Sequence, residues 1–159
     1  MANNNLPSVD SIAEVANLPN LHSLDLQSNR IDGDADDVEK LLTILAACPE
    51  LRVVYLKGND IVKKIKHYRK TLISRCRKLR YLDDRPVFDD ERRRCDTWGK
   101  VYAETKDADK AMEAEREEIA IMRKEKKERE DRAFEQFEKM VREGQKIKEA
   151  RAAEEGRKV

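Results

Sequence analysis

The chain has 159 residues, of which 42% are charged and 5% aromatic. That composition does not fill one compact globule; it fits a modest core joined to a solvated helix. Lys and Arg total 34 against 33 Asp and Glu, a net charge of +1, which argues against a dedicated nucleic-acid binder. No apolar run approaches the roughly 18 residues of a membrane span. MANNNLPSVD has neither the basic region nor the apolar run of a secretory signal. Cys48, Cys76 and Cys95 are widely spaced and form no CxxC. They read as packed or free thiols in a reducing compartment. The expectation is a cytoplasmic chain that contacts no membrane.

In chain order, Asn4-x-Leu6 comes first, followed by Val9, Ile12, Val15 and Leu18 in an apolar row of spacing three. Next stands Leu18-x-x-Leu21-x-x-Leu24-x-Leu26-x-x-Asn29-x-Ile31. It recurs as Leu51-x-x-Val54-x-Leu56-x-x-Asn59-x-Ile61, and Leu79-x-x-Leu82 is a shortened copy. This is the template of a leucine-rich repeat. Leu24 and Leu26 alternate on a short strand and both point inward. The asparagine sits where the chain leaves the strand, so its amide can satisfy backbone groups of neighbouring coils. The pattern starts inside a repeat, and MANNN offers nothing to cover a first coil. The reading therefore expects a piece of a longer stack, or a partner chain over that end.

Between the two full copies, Asp36 to Leu45 reads as a helix with Val38, Leu41, Leu42 and Leu45 on one face. Acids at its start suit the helix dipole, and Pro49 closes it. Asp32-x-Asp34-x-Asp36 is not a calcium loop: its sixth position is Asp37 rather than Gly and its twelfth is Thr43 rather than Glu. Ile61, Ile65, Tyr68, Leu72 and Cys76 predict a second, basic helix. From Ile61 to Leu82 there are nine Lys or Arg and no acid. Asp83-Asp84-Arg85-Pro86 predicts a sharp turn. A further helix follows, capped by Asp89 or Asp90, with Trp98 packed back on the core.

From Ala103 onward the chain holds no proline, and Arg123 to Arg132 is ten consecutive charges. A long helix is expected. Met112, Ile119, Ala133, Met140 and Ile147 repeat every seven residues, but Lys126 interrupts them and the companion positions are mostly polar. That is a weak coiled-coil seam. It reads as a solvated helix, or as one that pairs with a partner near Phe134, Phe137, Met140 and Val141. The expected fold is α/β: a short leucine-rich repeat solenoid with a C-terminal cap, followed by a long charged α-helix. The expected domains are residues 1–88, a capping helix region 89–104 and a tail 105–159.

Nothing in the sequence is arranged for catalysis. His22 and His67 lack metal spacing, and GxGxxG, GKS/T and GxSxG are all missing. No cofactor is expected. The informative surface is the concave strand face, with rows Ser23–Val53–Tyr81, Asp25–Tyr55–Asp83 and Gln27–Lys57–Arg85. Two tyrosines among charges are the kind of side chains that anchor protein interfaces. A second candidate is the basic helix bearing Lys63, Lys64, Lys66, Arg69 and Lys70, suited to an acidic partner.

Tyr68-Arg69 followed by Leu79-x-x-Leu82-Asp83 resembles the capped class of leucine-rich repeat proteins. That class includes a spliceosomal subunit, an axonemal dynein light chain and several ciliary proteins. The longer string ELRVVYLKGNDI, then HYRKTLISRCRKLRYLDDRPVF, then Cys95-x-x-Trp98, is similar to the leucine-rich-repeat dynein axonemal assembly factors. It departs from them at Asn59-Asp60, where they carry Asn-Pro, and at Lys66, near the place of a proline. The resemblance implies a non-enzymatic cytoplasmic scaffold for dynein arm preassembly in cilia and flagella. Its partners would be dynein chains, chaperones or other assembly factors. The alternatives are a structural axonemal protein on tubulin or dynein, and a subunit of an RNA-protein complex.

Overall fold

Alternating apolar residues bounded by turns leave room only for very short strands. In the computed structural model, which describes Met1 to Lys158, these are β1 (Ser23–Asp25), β2 (Val53–Tyr55), β3 (Tyr81–Leu82) and β4 (Arg85–Pro86). β1, β2 and β3 run parallel, and β4 returns antiparallel to β3. The helices are α1 (Ala35–Ala46), α2 (Tyr68–Arg75), α3 (Asp89–Thr105) and α4 (Ala108–Arg157). The architecture is mixed α/β, with a small sheet and a long C-terminal helix.

Strands this short gain few ladder bonds, so side-chain burial must hold them. Leu24, Val54 and Leu82 stand in register and all are buried, as are Leu26 and Leu56. Each such side chain contributes about 1.5–3 kcal/mol on leaving water. Parallel register also exposes backbone groups where the chain turns away, and the asparagines meet them. Asn59 Nδ2 donates to the carbonyls of Leu26 (2.8 Å) and Leu56 (2.7 Å), while its Oδ1 accepts from Ile31 N at 3.2 Å. Asn29 repeats the device one coil earlier, donating to Leu26 O at 2.9 Å and accepting from Leu6 N at 3.3 Å. Just before each asparagine the backbone is left-handed, at Ser28 (φ 52°) and Gly58 (φ 85°). Ser28 N bonds Lys57 O at 3.0 Å, tying the two turns together.

The first residues differ from expectation. MANNN offers no apolar cover, yet its backbone joins the first coil: Asn3 N bonds Gln27 O at 2.8 Å and Met1 O accepts from Asn29 Nδ2 at 3.0 Å. Arg30 N reaches Leu6 O at 3.1 Å, and Ser8 bridges to Asp32. A 3-10 helix, Val9–Asn17, then buries Val9, Ile12 and Val15. Leu18, expected in the same row, is 47% exposed. The helix ends at Asn17, and the changed backbone at Leu18 turns its side chain out.

α1 starts as a capped helix. The Asp34 carboxylate accepts from Asp36 N and Asp37 N, both at 3.0 Å, and Asp37 bonds back to Asp34 N. The continuous basic helix from Ile61 to Cys76 does not form. A 3-10 turn spans Asp60–Lys64, the chain breaks at His67 (φ 50°), and α2 begins at Tyr68. The cause is tertiary: Ile61 N bonds Ile31 O at 3.1 Å, so Ile61 continues the coil instead of starting a helix.

Phe88 occupies the N-cap position of α3 and makes no side-chain capping bond; Asp89 and Asp90, expected as caps, lie within the first turn beside the helix dipole. α3 packs closely on α2 because Gly99 faces Ser74: a Cβ at Gly99 would lie 2.4 Å from Ser74 Cβ. Trp98 is buried, as expected. Lys106 (φ 56°) ends α3, and α4 starts two residues later. Ala111 and Glu115 on α4 are buried, with Glu115 paired to Lys70.

The chain divides into two compact units, Met1–Glu118 and Ile119–Val159. Within the second, the helix carries ion pairs such as Lys126–Glu130 (3.9 Å) and Glu138–Arg142 (3.5 Å). Phe134, Phe137, Met140, Val141 and Ile147 are exposed there.

Asn59→Ala would strand the buried Leu56 carbonyl and the buried Ile31 amide, each costing about 1–3 kcal/mol, and leave Leu26 O with Asn29 alone. Urea unfolding is expected to show a loss of about 3 kcal/mol or more. Asn29→Ala should cost less, because two of its partners are only partly buried.

Candidate functional site

The strands that bury Leu24, Val54 and Leu82 must present their alternate residues on the other face. Ser23, Val53 and Tyr81 stand side by side in register, as do Asp25 and Tyr55. The Tyr55 and Tyr81 ring centroids are 6.0 Å apart with planes tilted by 51°. Both rings are half-buried. Desolvation raises the Tyr55 phenol above its ordinary value, and Tyr81 and the nearby carboxylates of Asp84, Asp25 and Asp83 push it further up. It therefore remains a neutral donor at physiological pH. Gln27 flanks this pair on the β1 side, and exposed Lys57 does so on the β2 side, bonded to Asp84 at 3.2 Å.

Two residues of the expected rows are elsewhere. Asp83 is not an open-face residue. Its Oδ1 accepts from Leu56 N (2.9 Å) and Lys57 N (3.1 Å), and its Oδ2 accepts from the Tyr68 hydroxyl at 2.8 Å. At φ 52° it turns the chain so sharply that Arg85 returns opposite Leu82. Arg85 thus lies on β4 and does not extend the Gln27–Lys57 row. Burial and the Asp83 carboxylate push the Tyr68 phenol strongly upward, which keeps its proton in place to hold Asp83.

The basic residues are largely committed within the chain. Lys63 pairs with Asp60 at 3.1 Å, Lys64 with Asp32 at 2.7 Å, and Lys70 with Glu115. Arg69 grips Glu91 with two bonds of 2.6 and 2.8 Å and donates to Pro86 O at 2.8 Å. Of the five lysines and arginines assigned to the basic helix, Lys66 alone has no ion pair among the described residues. Only Arg69 and Lys70 lie on α2; Lys63 and Lys64 lie on the 3-10 turn.

Sequence reasoning missed Arg92. From α3 it donates to the carbonyls of Ile73 (3.0 Å), Cys76 (3.3 Å) and Leu79, closing the C-terminal end of α2. An arginine in a charged helical stretch carries no signal of that role. All three cysteines are free and buried; burial pushes the Cys76 thiol up to about 12 and the Cys95 thiol up to about 11. Among the described residues, no His, Cys, Asp and Glu group could hold a metal ion, and no helix is long and apolar enough to cross a membrane.

The relatives of the chain carry leucine-rich repeat and dynein assembly factor names. Over 91 residues it is 44% identical to the leucine-rich repeat-containing protein ODA7 of Chlamydomonas reinhardtii, covering 57% of this chain and 20% of that protein. It is 47% identical over 75 residues to a dynein axonemal assembly factor 1 homolog of Aedes aegypti, covering 47% of this chain and 6% of that one. Human dynein axonemal assembly factor 1 is 39% identical over 77 residues, or 48% of this chain and 10% of that protein. The chain thus spans a fifth or less of these relatives, and it resembles the dynein axonemal assembly factors as its motifs indicated. No family model matches. Among solved structures, a chain of the Drosophila melanogaster SNF/U2A′ complex aligns with a TM-score of 0.41 at 25% identity, over 54% of this chain and 49% of that one.

The Arg69–Glu91 pair makes stability depend on pH. The Arg69 hydrogen bonds hold the Glu91 carboxyl below the ordinary glutamate value. Its stabilisation is therefore present above that ordinary value and lost as pH falls through the lowered one. Glu91→Gln is expected to destabilise by about 1.5–3 kcal/mol at pH 7. The gap from wild type should close in acid, read by urea unfolding across pH.

Proposed function

We propose that this chain is a non-enzymatic protein-binding scaffold that acts in the cytoplasm in preassembly of axonemal dynein arms for motile cilia or flagella. The coils form a short leucine-rich repeat solenoid. Residues 1–88 hold the repeats and cap motif, 89–104 the capping helix, and 105–159 the charged tail. The observation that carries the reading is the strand face, where the rings of Tyr55 on β2 and Tyr81 on β3 meet diagonally at 6.0 Å beside Asp25 and Lys57. Aromatic side chains held rigidly by their strands lose little entropy on docking, which suits them as interface anchors.

The names of the relatives support a role in dynein assembly, and the tyrosine contact on the strand face supports protein docking as the means. The partner docked there is a dynein chain, a chaperone or another assembly factor, with tubulin as a further candidate. Ser23 and Asp25 on β1, Gln27 just beyond it and Lys57 just beyond β2 give that partner polar contacts of both signs. This favours an electrostatically mixed protein surface over a nucleic-acid backbone.

Deleting the gene in a flagellated cell is expected to remove dynein arms from axoneme cross-sections and to stop motility. Wild-type chain should restore both. A Tyr55→Ala, Tyr81→Ala chain should fold with a melting point within a few degrees of wild type yet fail to restore the arms. Intact arms in the deletion strain, or a chain found only in detergent-resistant axonemes, would defeat the proposal.

A further inference from the structure

A second surface lies among the helices and shares no residue with the strand face. α1, α2, α3 and the turn after Lys64 enclose a groove of about 460 Å³. This is within the size of ordinary ligand sites. Its apolar lining comes from Val38 and Leu42 on α1, Ile65, and Trp98 and Tyr102 on α3. The Trp98 and Tyr102 rings stack at 4.8 Å, and the indole N–H of buried Trp98 has no hydrogen-bond partner.

The charges around the groove do not balance. Lys64 is taken up by Asp32 and the Gly33 carbonyl, Arg75 by Glu39, and the Asp34 carboxylate by the backbone amides that start α1. Lys66 and Lys106 also line the groove, are exposed, and have no ion pair among the described residues. What remains is an apolar slot with aromatic walls and two ammonium groups without an ion pair, and with Asp34 counted the named charges still sum to a positive surplus.

We propose that this groove is a docking site for an acidic peptide segment of a partner protein, with one apolar side chain seated between Val38 and Tyr102. The carboxylates beside that anchor pair with Lys66 and Lys106. The charge surplus selects the sign of the partner, and the aromatic walls select a bulky anchor. The assignment does not rest on the strand-face reading, since Tyr55 and Tyr81 take no part in it.

The test is selection of a displayed library of random 12-residue peptides on the full chain. Trp98, the single tryptophan, reports occupancy by its fluorescence. Enriched peptides are expected to carry Leu, Phe or Met flanked by Asp or Glu, and to shift the Trp98 emission. They should bind at least tenfold more weakly to the Lys66→Glu, Lys106→Glu chain, and weaken at 1 M salt. Ala103→Tyr narrows the groove without changing charge and should weaken the same peptides; circular dichroism checks that both variants are folded. The proposal is overturned if no peptide is enriched, if enriched peptides are basic or uncharged, or if both variants bind them like wild type. It is also overturned if the chain alone forms a dimer in sedimentation that Ala103→Tyr dissolves, because the groove would then hold a second copy.

Discussion

Everything in the first unit depends on satisfying backbone groups where each coil leaves its strand. Leu26 O is the focus of that constraint, accepting from both Asn29 and Asn59. A leucine at either position would gain burial yet leave carbonyls and amides unpaired in the dry interior, and that loss outweighs the gain. The two amides thus fix the spacing between coils. Leu24 and Leu26 then sit against Val54 and Leu56 instead of sliding past them.

The last coil has no asparagine and solves the same problem with a charge. Asp83 stands where the chain turns, and its carboxylate takes the amides of Leu56 and Lys57. A carboxylate only accepts, so it serves where donors of the preceding coil remain and no following carbonyl needs an amide. Tyr68 holds the other oxygen, which ties α2 to the sheet. Arg69 and Arg92 continue the closure outward, binding Glu91, Pro86 O and the end of α2. The concentration of arginine and lysine between Ile61 and Leu82 is therefore chiefly structural. Its charge is spent on acids that come from distant parts of the sequence, such as Asp32, Glu39 and Glu115.

This division of labour shapes what the molecule can offer to others. The strand face presents aromatic rings held by short, rigid strands, with charges of both signs at its border. The helical groove presents an apolar slot with surplus positive charge. The two proposed surfaces lie on one small unit, share no residue and differ in chemistry, so each suits a different kind of partner.

The residues that repeat were legible in the sequence. Period-two leucines, the asparagine after each pair and the Leu79–Leu82 remnant sufficed to place the strands, their register and the inward face, because these follow from local alternation. The row Ser23–Val53–Tyr81 and the neighbours Asp25 and Tyr55 followed from that register, whereas the diagonal contact of the Tyr55 and Tyr81 rings did not. The helix of α1 and the burial of Trp98 were equally plain. Tertiary structure decided the rest. Ile61 and Ile65 have helical spacing, yet the bond from Ile61 N to Ile31 O draws that stretch into the coil and breaks the helix at His67. Asp83 alternates like a surface residue but is turned inward by amides 26 and 27 positions away. The basic run reads as a free surface until its acids arrive from α1, α3 and α4. Spacing along a chain records which side a residue faces. It does not record which distant group will meet it there.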